Sequence, residues 1–278
     1  DYAISATGEA KQGNYLVEYQ MGTFTINRAP VTVSVASASR VYGEVDPAFN
    51  VTMGGLQNGD PESCITYTLA REYGEDVGEY AITLDGATVQ GNYDVTFVPG
   101  MLTITPANVT VTVDDAQKVY GDADPAFSAV LSGLKSGDPE TAVSYTPSRA
   151  QGENVGEYAI TATGAEVQGN YTVSFEPGTF AITPATATVT AADSGKAYGQ
   201  EDPVLAATVS GLKNGDSAAL LVYELTRDAG EDVGTYGITA TGEPEQGNYL
   251  VEYASGTFTI GPAGTLELYA SSLDEIYS

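Results

Sequence analysis

The sequence repeats with a period of 78 residues, and this repeat constrains the fold more than any other feature. The period separates Tyr42, Tyr120 and Tyr198, and it recurs at many other positions without an insertion or a deletion. We therefore expect three whole modules after a partial one. The predicted segments are the C-terminal half of a module at residues 1–29, modules at residues 30–106, 107–184 and 185–262, and an atypical strand-like tail at residues 263–278.

Each module has the pattern of short strands separated by turns. Residues 109–113 alternate Val with Thr, which is typical of a strand with one buried face, and we also predict a strand at residues 127–131. A short helical turn fits only residues 138–143 and 216–222. The 32 Gly, 13 Pro and 19 Tyr suit a chain of strands and turns. We predict an all-β fold of tandem small immunoglobulin-like β-sandwich modules, with a strand-rich β-grasp variant as the alternative.

The junctions between modules are short and contain proline. The predicted module boundaries fall near Pro30, Pro106, Pro184 and Pro262, where a last strand should end and the next strand should begin almost at once. Proline fixes its own φ and keeps the preceding residue extended, so these junctions have little conformational freedom. We expect an elongated, stiff rod whose reach is set by the number of modules.

The chain is strongly acidic, with 10 Lys and Arg against 37 Asp and Glu and a formal net charge of -27. This charge repels phosphate backbones and anionic lipids, so we expect no nucleic acid partner. No apolar run approaches the roughly 20 residues that span a bilayer, so we expect no membrane span in this segment. The acidic residues are spread along the chain, which is typical of a solvated surface, although their oxygen atoms would also suit calcium.

One recurring segment joins a Tyr-Gly pair to an Asp-Pro pair. In the first module it contains Tyr42, Gly43 and Asp46, and the glycine can adopt a positive φ. We interpret the segment as a structural loop anchored by the tyrosine, in which the aspartate initiates a turn. The alternative is a calcium site that uses Asp122, Asp124 and their counterparts.

A second recurring segment has the spacing Asp-x-Gly-x-Tyr, at residues 76–80 of the first module. This spacing resembles the tyrosine corner of immunoglobulin-like sandwiches, in which a tyrosine hydroxyl bonds to nearby backbone. An arginine precedes the segment in every module, as Arg71 does in the first. We expect this arginine to pair with a nearby Glu or to stack on a Tyr ring.

Five sets of recurring residues are the candidate site positions, and we expect structural roles for all of them. The sets are Tyr42, Tyr120 and Tyr198; Asp46, Asp124 and Asp202; Arg71, Arg149 and Arg227; Tyr80, Tyr158 and Tyr236; and Tyr15, Tyr93, Tyr171 and Tyr249.

The residue types and motifs of common enzymes are missing from the sequence. The chain has no His, no nucleophile elbow and no phosphate-binding glycine loop, so we expect neither an enzyme nor a cofactor apart from the calcium alternative. Cys64 is the only cysteine, and therefore no intramolecular disulfide can form. Because Ala142 and Leu220 occupy the matching positions, we expect Cys64 to be a small apolar core residue, with a free reactive thiol as the alternative.

Five motifs occur in the same order in the modules, with few substitutions: Lys-x-Tyr-Gly-x-x-Asp-Pro, Gly-Leu-x-x-Gly-Asp, Val-Gly-x-Tyr-x-Ile, Gly-Asn-Tyr and Gly-Thr-Phe-x-Ile-x-Pro. Together they resemble the MBG-type repeats, of the Tyr-Gly class, in bacterial surface proteins. The resemblance covers residues 1–262. It implies large secreted or wall-attached proteins, often adhesin-like, and hence an extracellular location at the bacterial cell surface.

The repeat and this resemblance together suggest two functions. The first is a structural stalk or spacer of a surface adhesin or fibre, which projects a binding region from the cell. The alternative is a set of modules that bind an environmental or host glycan or protein by avidity.

The two ends of the chain depart from the repeat. Asp1 aligns with Glu79, so the sequence opens halfway through a module. We expect either a piece of a longer protein or a head-to-tail assembly, in which residues 265–270 of one molecule complete the half module of the next. The expected partners are therefore other modules of the same protein, a second copy of the chain, and an extracellular glycan or protein.

Overall fold

The computed structural model of the chain describes residues 1–135 and 137–268. The chain divides into two compact units, and each is described by itself. Unit 1 comprises residues 1–110, 131–144 and 165–174, and unit 2 comprises residues 111–130, 145–164 and those from 175 onward. The division runs through the second module.

The N-terminal half module lies in unit 1 and has four short strands, β1 (Tyr2–Ile4), β2 (Lys11–Gln12), β3 (Tyr15–Leu16) and β4 (Gly22–Phe24). Strand β1 pairs with β4, and β2 pairs with β3, both antiparallel. The apolar side chains of this half are open to solvent: Ile4 is 54% exposed, whereas its counterpart Ile82 in the first whole module is 0% exposed. These positions face a core only in the whole modules.

The first whole module, module 1, also lies in unit 1 and has eight strands. They are β5 (Ala29–Val35), β6 (Ala38–Val41), β7 (Val51–Gly54), β8 (Thr68–Arg71), β9 (Gly78–Asp85), β10 (Val89–Gln90), β11 (Tyr93–Val98) and β12 (Gly100–Thr105). They form two four-stranded sheets with the orders β10-β11-β5-β7 and β6-β12-β9-β8. The module is therefore a small two-sheet sandwich.

The core of module 1 lies between these sheets. In β5 the side chains of Val31, Val33 and Val35 are buried, while the alternate Thr and Ser face outward, as the period of two in a half-buried strand requires. Ile82 from β9 and Leu102 from β12 close the core from the other sheet.

The first strands of module 1 pair with its last strands, in parallel. Strand β5 pairs with β11 from Ala29 opposite Tyr93 onward, and β6 pairs with β12 from Ala38 opposite Leu102 onward. In every pair the residue of the last strand is 64 positions after its partner in the first strand. The pairing therefore keeps one register in both sheets, although the chain crosses from one sheet to the other between β5 and β6. The remaining pairs of the two sheets are antiparallel.

The second whole module, module 2, has its strands in both units. They are β13 (Ala107–Val113), β14 (Ala116–Val119), β15 (Ala129–Ser132), β16 (Thr146–Arg149), β17 (Gly156–Thr163), β18 (Val167–Gln168), β19 (Tyr171–Glu176) and β20 (Gly178–Thr183). The sheet with the order β14-β20-β17-β16 belongs to unit 2, and its parallel pair β14–β20 keeps the register of 64, with Ala116 opposite Phe180.

The third whole module, module 3, lies in unit 2. Its strands are β21 (Ala185–Ala191), β22 (Ser194–Ala197), β23 (Ala207–Ser210), β24 (Glu224–Arg227), β25 (Gly234–Thr241), β26 (Glu245–Gln246), β27 (Tyr249–Ala254) and β28 (Gly256–Gly261). It repeats the two sheets of module 1, and its parallel pairs β21–β27 and β22–β28 again join residues 64 apart.

The all-β prediction is confirmed, and the modules are two-sheet sandwiches of the immunoglobulin-like kind. The predicted tyrosine corner is present: the Tyr80 hydroxyl donates to the carbonyl of Asp76 at 2.9 Å, and Tyr158 and Tyr236 make the same bond in their modules. A β-grasp fold packs a helix on its sheet. The helical segments of residues 1–135 and 137–268 are short 3₁₀ turns. Two of them, Glu140–Ala142 and Ala218–Leu220, lie where a helical turn was predicted, whereas the turn at Glu62–Cys64 was not predicted.

Three local predictions need correction. Cys64 is exposed in a 3₁₀ turn, so it is not a core residue. The strand expected at residues 127–131 begins only at Ala129, and Phe127 instead packs its ring edge-on against Phe180, with 5.6 Å between ring centroids. The predicted strand of the tail is not seen at residues 262–268, which are exposed and without regular structure, and the rest of that prediction falls on residues 269–278, outside the described residues.

Candidate functional site: ion clusters and module junctions

Each whole module contains one compact group of four charged side chains, which we call the ion cluster. In module 2 the Lys118 amine contacts Asp124 Oδ1 at 2.7 Å and Glu153 Oε2 at 2.5 Å. Arg149 contacts the other oxygen of each acid, with Nε 2.6 Å from Asp124 Oδ2 and Nη2 bonded to Glu153 Oε1. Two cations and two carboxylates therefore form a closed ring of ion pairs.

The ion cluster is anchored to the backbone and to aromatic rings. Arg149 Nη1 donates to the carbonyls of Ala150 and Gly152, at 2.9 and 2.6 Å. Its guanidinium also lies over the rings of Phe180 and Tyr158, with 4.9 and 5.7 Å to the ring centroids. The arginine is fixed by bidentate, stacked and backbone contacts together, a combination that lysine cannot provide.

Gly152 is required for this packing. Its φ is +150°, and a Cβ built there would lie 2.1 Å from the ring of Tyr158, the tyrosine of the corner. The recurring Gly-Glu pair thus places a glycine under the tyrosine ring and the cluster glutamate beside it.

The same ring of ion pairs forms in the other two whole modules. Module 3 uses Lys196, Asp202, Arg227 and Glu231, with 2.7 Å between the Lys196 amine and Asp202. Module 1 uses Arg40, Asp46, Arg71 and Glu75, with 2.6 Å from each guanidinium Nε to Asp46.

Module 1 departs from the other two at neighbouring positions. Arg40 replaces the lysine, and Leu102 stands where the other modules have Phe180 and Phe258. The larger cation thus occurs with the smaller apolar residue. The smaller Leu102 does not fully compensate for the larger Arg40, since Arg40 Nη1 is buried without a hydrogen-bond partner.

The charges of the cluster shift each other's protonation. Hydrogen bonds from Arg149 and then Lys118 lower the pKa of Asp124, and the corresponding bonds from Arg227 and Lys196 lower the pKa of Asp202 to about 2. The bond to Asp124 raises the pKa of the Lys118 amine above its usual range. In module 2 the pKa of each of the four groups moves in the direction that favours its charged form.

This arrangement accounts for the residues that sequence reasoning considered for calcium. Both carboxylate oxygens of Asp124 are within hydrogen-bond distance of cationic side chains of the chain itself. Asp122 instead contacts the Lys213 amine at 3.2 Å. Within residues 1–135 and 137–268, no group of three acidic or sulfur ligands is placed to hold a metal ion.

The second candidate site is the junction between consecutive modules. In unit 1 the Tyr42 hydroxyl of module 1 donates to Asp138 Oδ2 of module 2 at 3.0 Å, and the same carboxylate accepts a bond from Tyr171. The two tyrosine rings meet edge to face, with centroids 5.5 Å apart and planes at 82°. Burial, followed by the bond to Asp138, raises the pKa of both hydroxyls.

An asparagine completes this junction. Asn170 Oδ1 accepts the backbone N–H of Val77 at 2.8 Å, and its Nδ2 donates to Asp76 Oδ1 at 2.8 Å. One amide side chain of module 2 therefore satisfies a loop N–H and a carboxylate of module 1.

Unit 2 contains the same junction between modules 2 and 3. Tyr120 donates to Asp216 at 3.0 Å, Tyr249 donates to the same oxygen at 2.6 Å, and the rings again meet at 5.5 Å and 82°. Asn248 accepts the N–H of Val155 at 2.8 Å and donates to Asn154, which replaces the aspartate of the first junction.

The sequence-predicted residues fall into three places. The Asp and Arg sets, among them Asp46, Asp202, Arg71 and Arg227, lie in the ion clusters, and the corner tyrosines pack beside them. The Tyr-Gly tyrosines and the Gly-Asn-Tyr tyrosines meet at the junctions. The tyrosines of these two sets at the ends of the repeat are not in a described junction. Tyr198 is 50% exposed and Tyr15 is 77% exposed, while Tyr93 is buried and donates to Asp60.

Sequence reasoning missed several residues of both sites. The lysines of the ion clusters, the aspartates of Gly-Leu-x-x-Gly-Asp and the asparagines of Gly-Asn-Tyr carry key contacts but were used only as motif letters. Their signal was present, because Asp60, Asp138 and Asp216 recur at the same period as the tyrosines that bind them.

A tandem of two-sheet modules, each with its own ion cluster and joined by matching side chains, defines a repeat protein. The family model of the MBG domain (YGX type) matches residues 31–103, 109–181 and 187–259, one segment in each whole module. The chain therefore belongs to this family and is a tandem repeat region of it.

Several solved structures are weakly similar to the chain. A tandem from titin is 13% identical and covers 84% of this chain and 100% of its own, with a TM-score of 0.24. A Drosophila N-cadherin segment is 10% identical over 84% of this chain and 76% of its own, with a TM-score of 0.27. Three domains of the bacteriophage RB49 highly immunogenic outer capsid protein are 13% identical over 84% of this chain and 99% of their own, with a TM-score of 0.26.

TM-scores this low support no argument about function. No curated protein matches the chain in sequence. None of the helical turns in the described ranges is long and apolar enough to cross a membrane.

Proposed function

We propose that this chain is a spacer region of an extracellular bacterial surface protein, in which the number of modules sets the distance between the cell and a binding region. The observation that supports it best is the repeated junction. Both described junctions use a Tyr–Asp–Tyr contact and an asparagine bridge, and these residues recur at every module. Side chains that fix one module against its neighbour's loops are what a spacer of defined reach requires.

The ion clusters support the spacer proposal and argue against a catalytic role. Their carboxylates and cations are paired with each other, and their backbone and ring contacts fix their positions. A general acid or base needs a pKa near the working pH, whereas Asp202 has a pKa of about 2. The proposal therefore includes no catalytic activity.

The alternative of glycan or protein binding by avidity requires a surface group that recurs. Tyr73 is an exposed aromatic residue of the kind that binds glycans, and it is 90% exposed. Its counterparts are Gln151 and Ala229, so the group is not repeated. Tyr67, Tyr145 and Tyr223 do recur, but Tyr67 is only 37% exposed and the other two are half-buried. The other tyrosines found in all three whole modules are those of the corner and of the Tyr-Gly and Gly-Asn-Tyr motifs.

A deletion of residues 107–184 tests the spacer proposal. It removes one period and leaves Tyr42 of module 1 facing Asp216, Asn248 and Tyr249 of module 3, which are the residue types of a natural junction. Small-angle X-ray scattering should give a maximum dimension shorter by roughly 40 Å, the span of an extended segment such as residues 29–41. An unchanged maximum dimension would contradict the proposal.

A binding assay separates the two functions. The full chain and the deletion variant would be applied to a glycan array and to immobilised extracellular matrix proteins. We expect no saturable binding. Saturable binding that weakens steeply when one module is removed would establish the avidity function in place of the spacer.

A further inference from the structure

The way in which the chain enters and leaves each module determines how the module responds to tension. The chain enters module 3 at Ala185 in β21 and leaves it at Gly261 in β28. Strand β21 is paired in parallel with β27 over six residue pairs, and β22 is paired in parallel with β28 over four. A force on the two ends therefore acts directly on the ladders that join the first strands to the last.

Parallel pairing makes this loading a shear. Because the two strands run in the same direction, the N-terminal end of the first lies at one edge of the ladder and the C-terminal end of the last lies at the opposite edge. Tension then slides the strands along each other, and all the ladder hydrogen bonds are loaded together. An antiparallel hairpin that is pulled at its open end instead loses its bonds one after another.

We propose that each module is a shear clamp that bears tension along the chain. The clamp consists of the first strands and the last strands of the module, joined at a constant offset of 64 residues across both sheets. This inference concerns the module itself and holds whether or not the chain is a spacer.

The point where the chain crosses between the sheets is reinforced. Asp193, which lies between β21 and β22, accepts the backbone N–H of Thr257 at 2.8 Å, again at an offset of 64. Ser37 and Asp115 make the equivalent bonds to Met101 and Thr179, at 3.0 and 2.7 Å. The ladder therefore has a side-chain bond where its backbone bonds are interrupted.

A glycine permits the close approach at this crossing. A Cβ on Gly256 would lie 2.5 Å from the carbonyl oxygen of Ala191, and a Cβ on Gly178 would lie 2.6 Å from that of Val113. Any side chain there would push the first and last strands apart.

The ion cluster ties the short edge strand of the clamp to the opposite side of its sheet. Lys196 is in β22, and its partners Asp202 and Glu231 also bind Arg227 at the end of β24. Strand β22 cannot slide along β28 without separating Lys196, whose side chain is only 5% exposed, from both carboxylates. Leaving a buried charge unpaired is costly, so the cluster adds resistance to the same motion.

Consecutive clamps also follow each other closely. In unit 1 the carbonyl of Thr105, the last residue of β12, accepts the N–H of Tyr42 at 2.8 Å. The next clamp begins at Ala107, whose N–H donates to the carbonyl of Asn170 at 3.0 Å. Only Pro106 lies between them, so tension that leaves one clamp enters the next.

Single-molecule force spectroscopy on the full chain tests the proposal by comparing two pulling directions in module 3. The background is Cys64→Ser, which removes the only native thiol. Handles on Pro184→Cys and Pro262→Cys load the clamp in shear. Handles on Glu224→Cys and Thr241→Cys peel β24 from β25, which are antiparallel neighbours with these two residues opposite each other. All four positions are exposed, so the substitutions leave the core intact.

At the same loading rate we expect the rupture force in the shear direction to be several-fold higher than in the peeling direction. A single shear event should release the extended length of 78 residues, roughly 260–280 Å before the folded length is subtracted. Equal rupture forces in the two directions, or gradual extension without a rupture event in shear, would overturn the proposal.

A second pair of variants tests the crossing bond. Asp193→Ala removes the carboxylate that accepts the N–H of Thr257, whereas Asp228→Ala removes an exposed acid that lies outside the clamp. We expect Asp193→Ala to lower the shear rupture force and to leave the peeling force unchanged. A loss of shear force that is the same for both variants would show that the crossing bond has no part in the clamp.

Discussion

Tyr120→Phe, compared with Tyr198→Phe, is the sharpest test of the junction. Both substitutions remove one hydroxyl from the same position of the repeat. The Tyr120 hydroxyl donates to Asp216 at 3.0 Å, and its residue is 6% exposed, whereas Tyr198 is 50% exposed. The first change therefore removes a junction contact, and the second is its matched control.

The expected cost of Tyr120→Phe follows from the charge of its acceptor. A hydrogen bond to a charged group contributes about 1.5–3 kcal/mol. Asp216 keeps its 2.6 Å bond from Tyr249, so its carboxylate is not left without a partner. The cost is accordingly reduced to about 1–2 kcal/mol, which is a factor of about 5–30 in an opening equilibrium.

Hydrogen exchange followed by mass spectrometry measures this factor at each module of the intact chain. We expect faster exchange in peptides around Tyr120 and around residues 212–217, with module 1 unchanged. Tyr198→Phe should change stability by less than about 0.5 kcal/mol, as exposed substitutions usually do. Equal effects of the two substitutions would refute the junction role of the tyrosine.

Two further predictions concern the ion clusters. Arg227 and Lys196 lower the pKa of Asp202 from 3.8 to about 2, so the contribution of Asp202 to stability should be complete above pH 3.8 and lost as the pH falls towards 2. Urea unfolding between about pH 2 and 6 measures this loss. Asp202→Asn should remove that part of the pH dependence. Arg40→Lys and Leu102→Phe introduce the residues of modules 2 and 3 into module 1. We expect the double variant to be more stable than the sum of the two single variants predicts, with a coupling free energy of about 0.5–3 kcal/mol. Hydrogen exchange of module 1 measures this coupling. Strict additivity would show that the two positions do not compensate each other.

Much of the fold could be predicted because the repeat provides three versions of the same module. Alternation of Val and Thr located β13, and the Asp-x-Gly-x-Tyr spacing located the tyrosine corner, since both depend on residues close together in sequence. The pairing of arginine with a nearby glutamate was also foreseeable, because Arg149 and Glu153 are four residues apart.

The junctions could not be predicted, and the repeat itself is the reason. Tyr42 has two equivalent aspartates ahead of it, Asp60 in its own module and Asp138 one period later. Their surroundings in the sequence are nearly the same, so no local pattern distinguishes a contact within a module from a contact between modules. The structure resolves the choice, since Asp60 binds Tyr93 and Tyr42 binds Asp138.

The absence of insertions in the repeat now has a physical explanation. An extra residue within β5 or β11 would shift every later pair of the parallel ladder and turn side chains from the core to the surface. The loops, which usually tolerate insertions, are constrained as well, because they hold Tyr42, Asp138 and Asn170 at the distances of the junction. Strands fixed by the clamp and loops fixed by the neighbouring module leave few places where the period could change, which is why it is constant over the whole repeat.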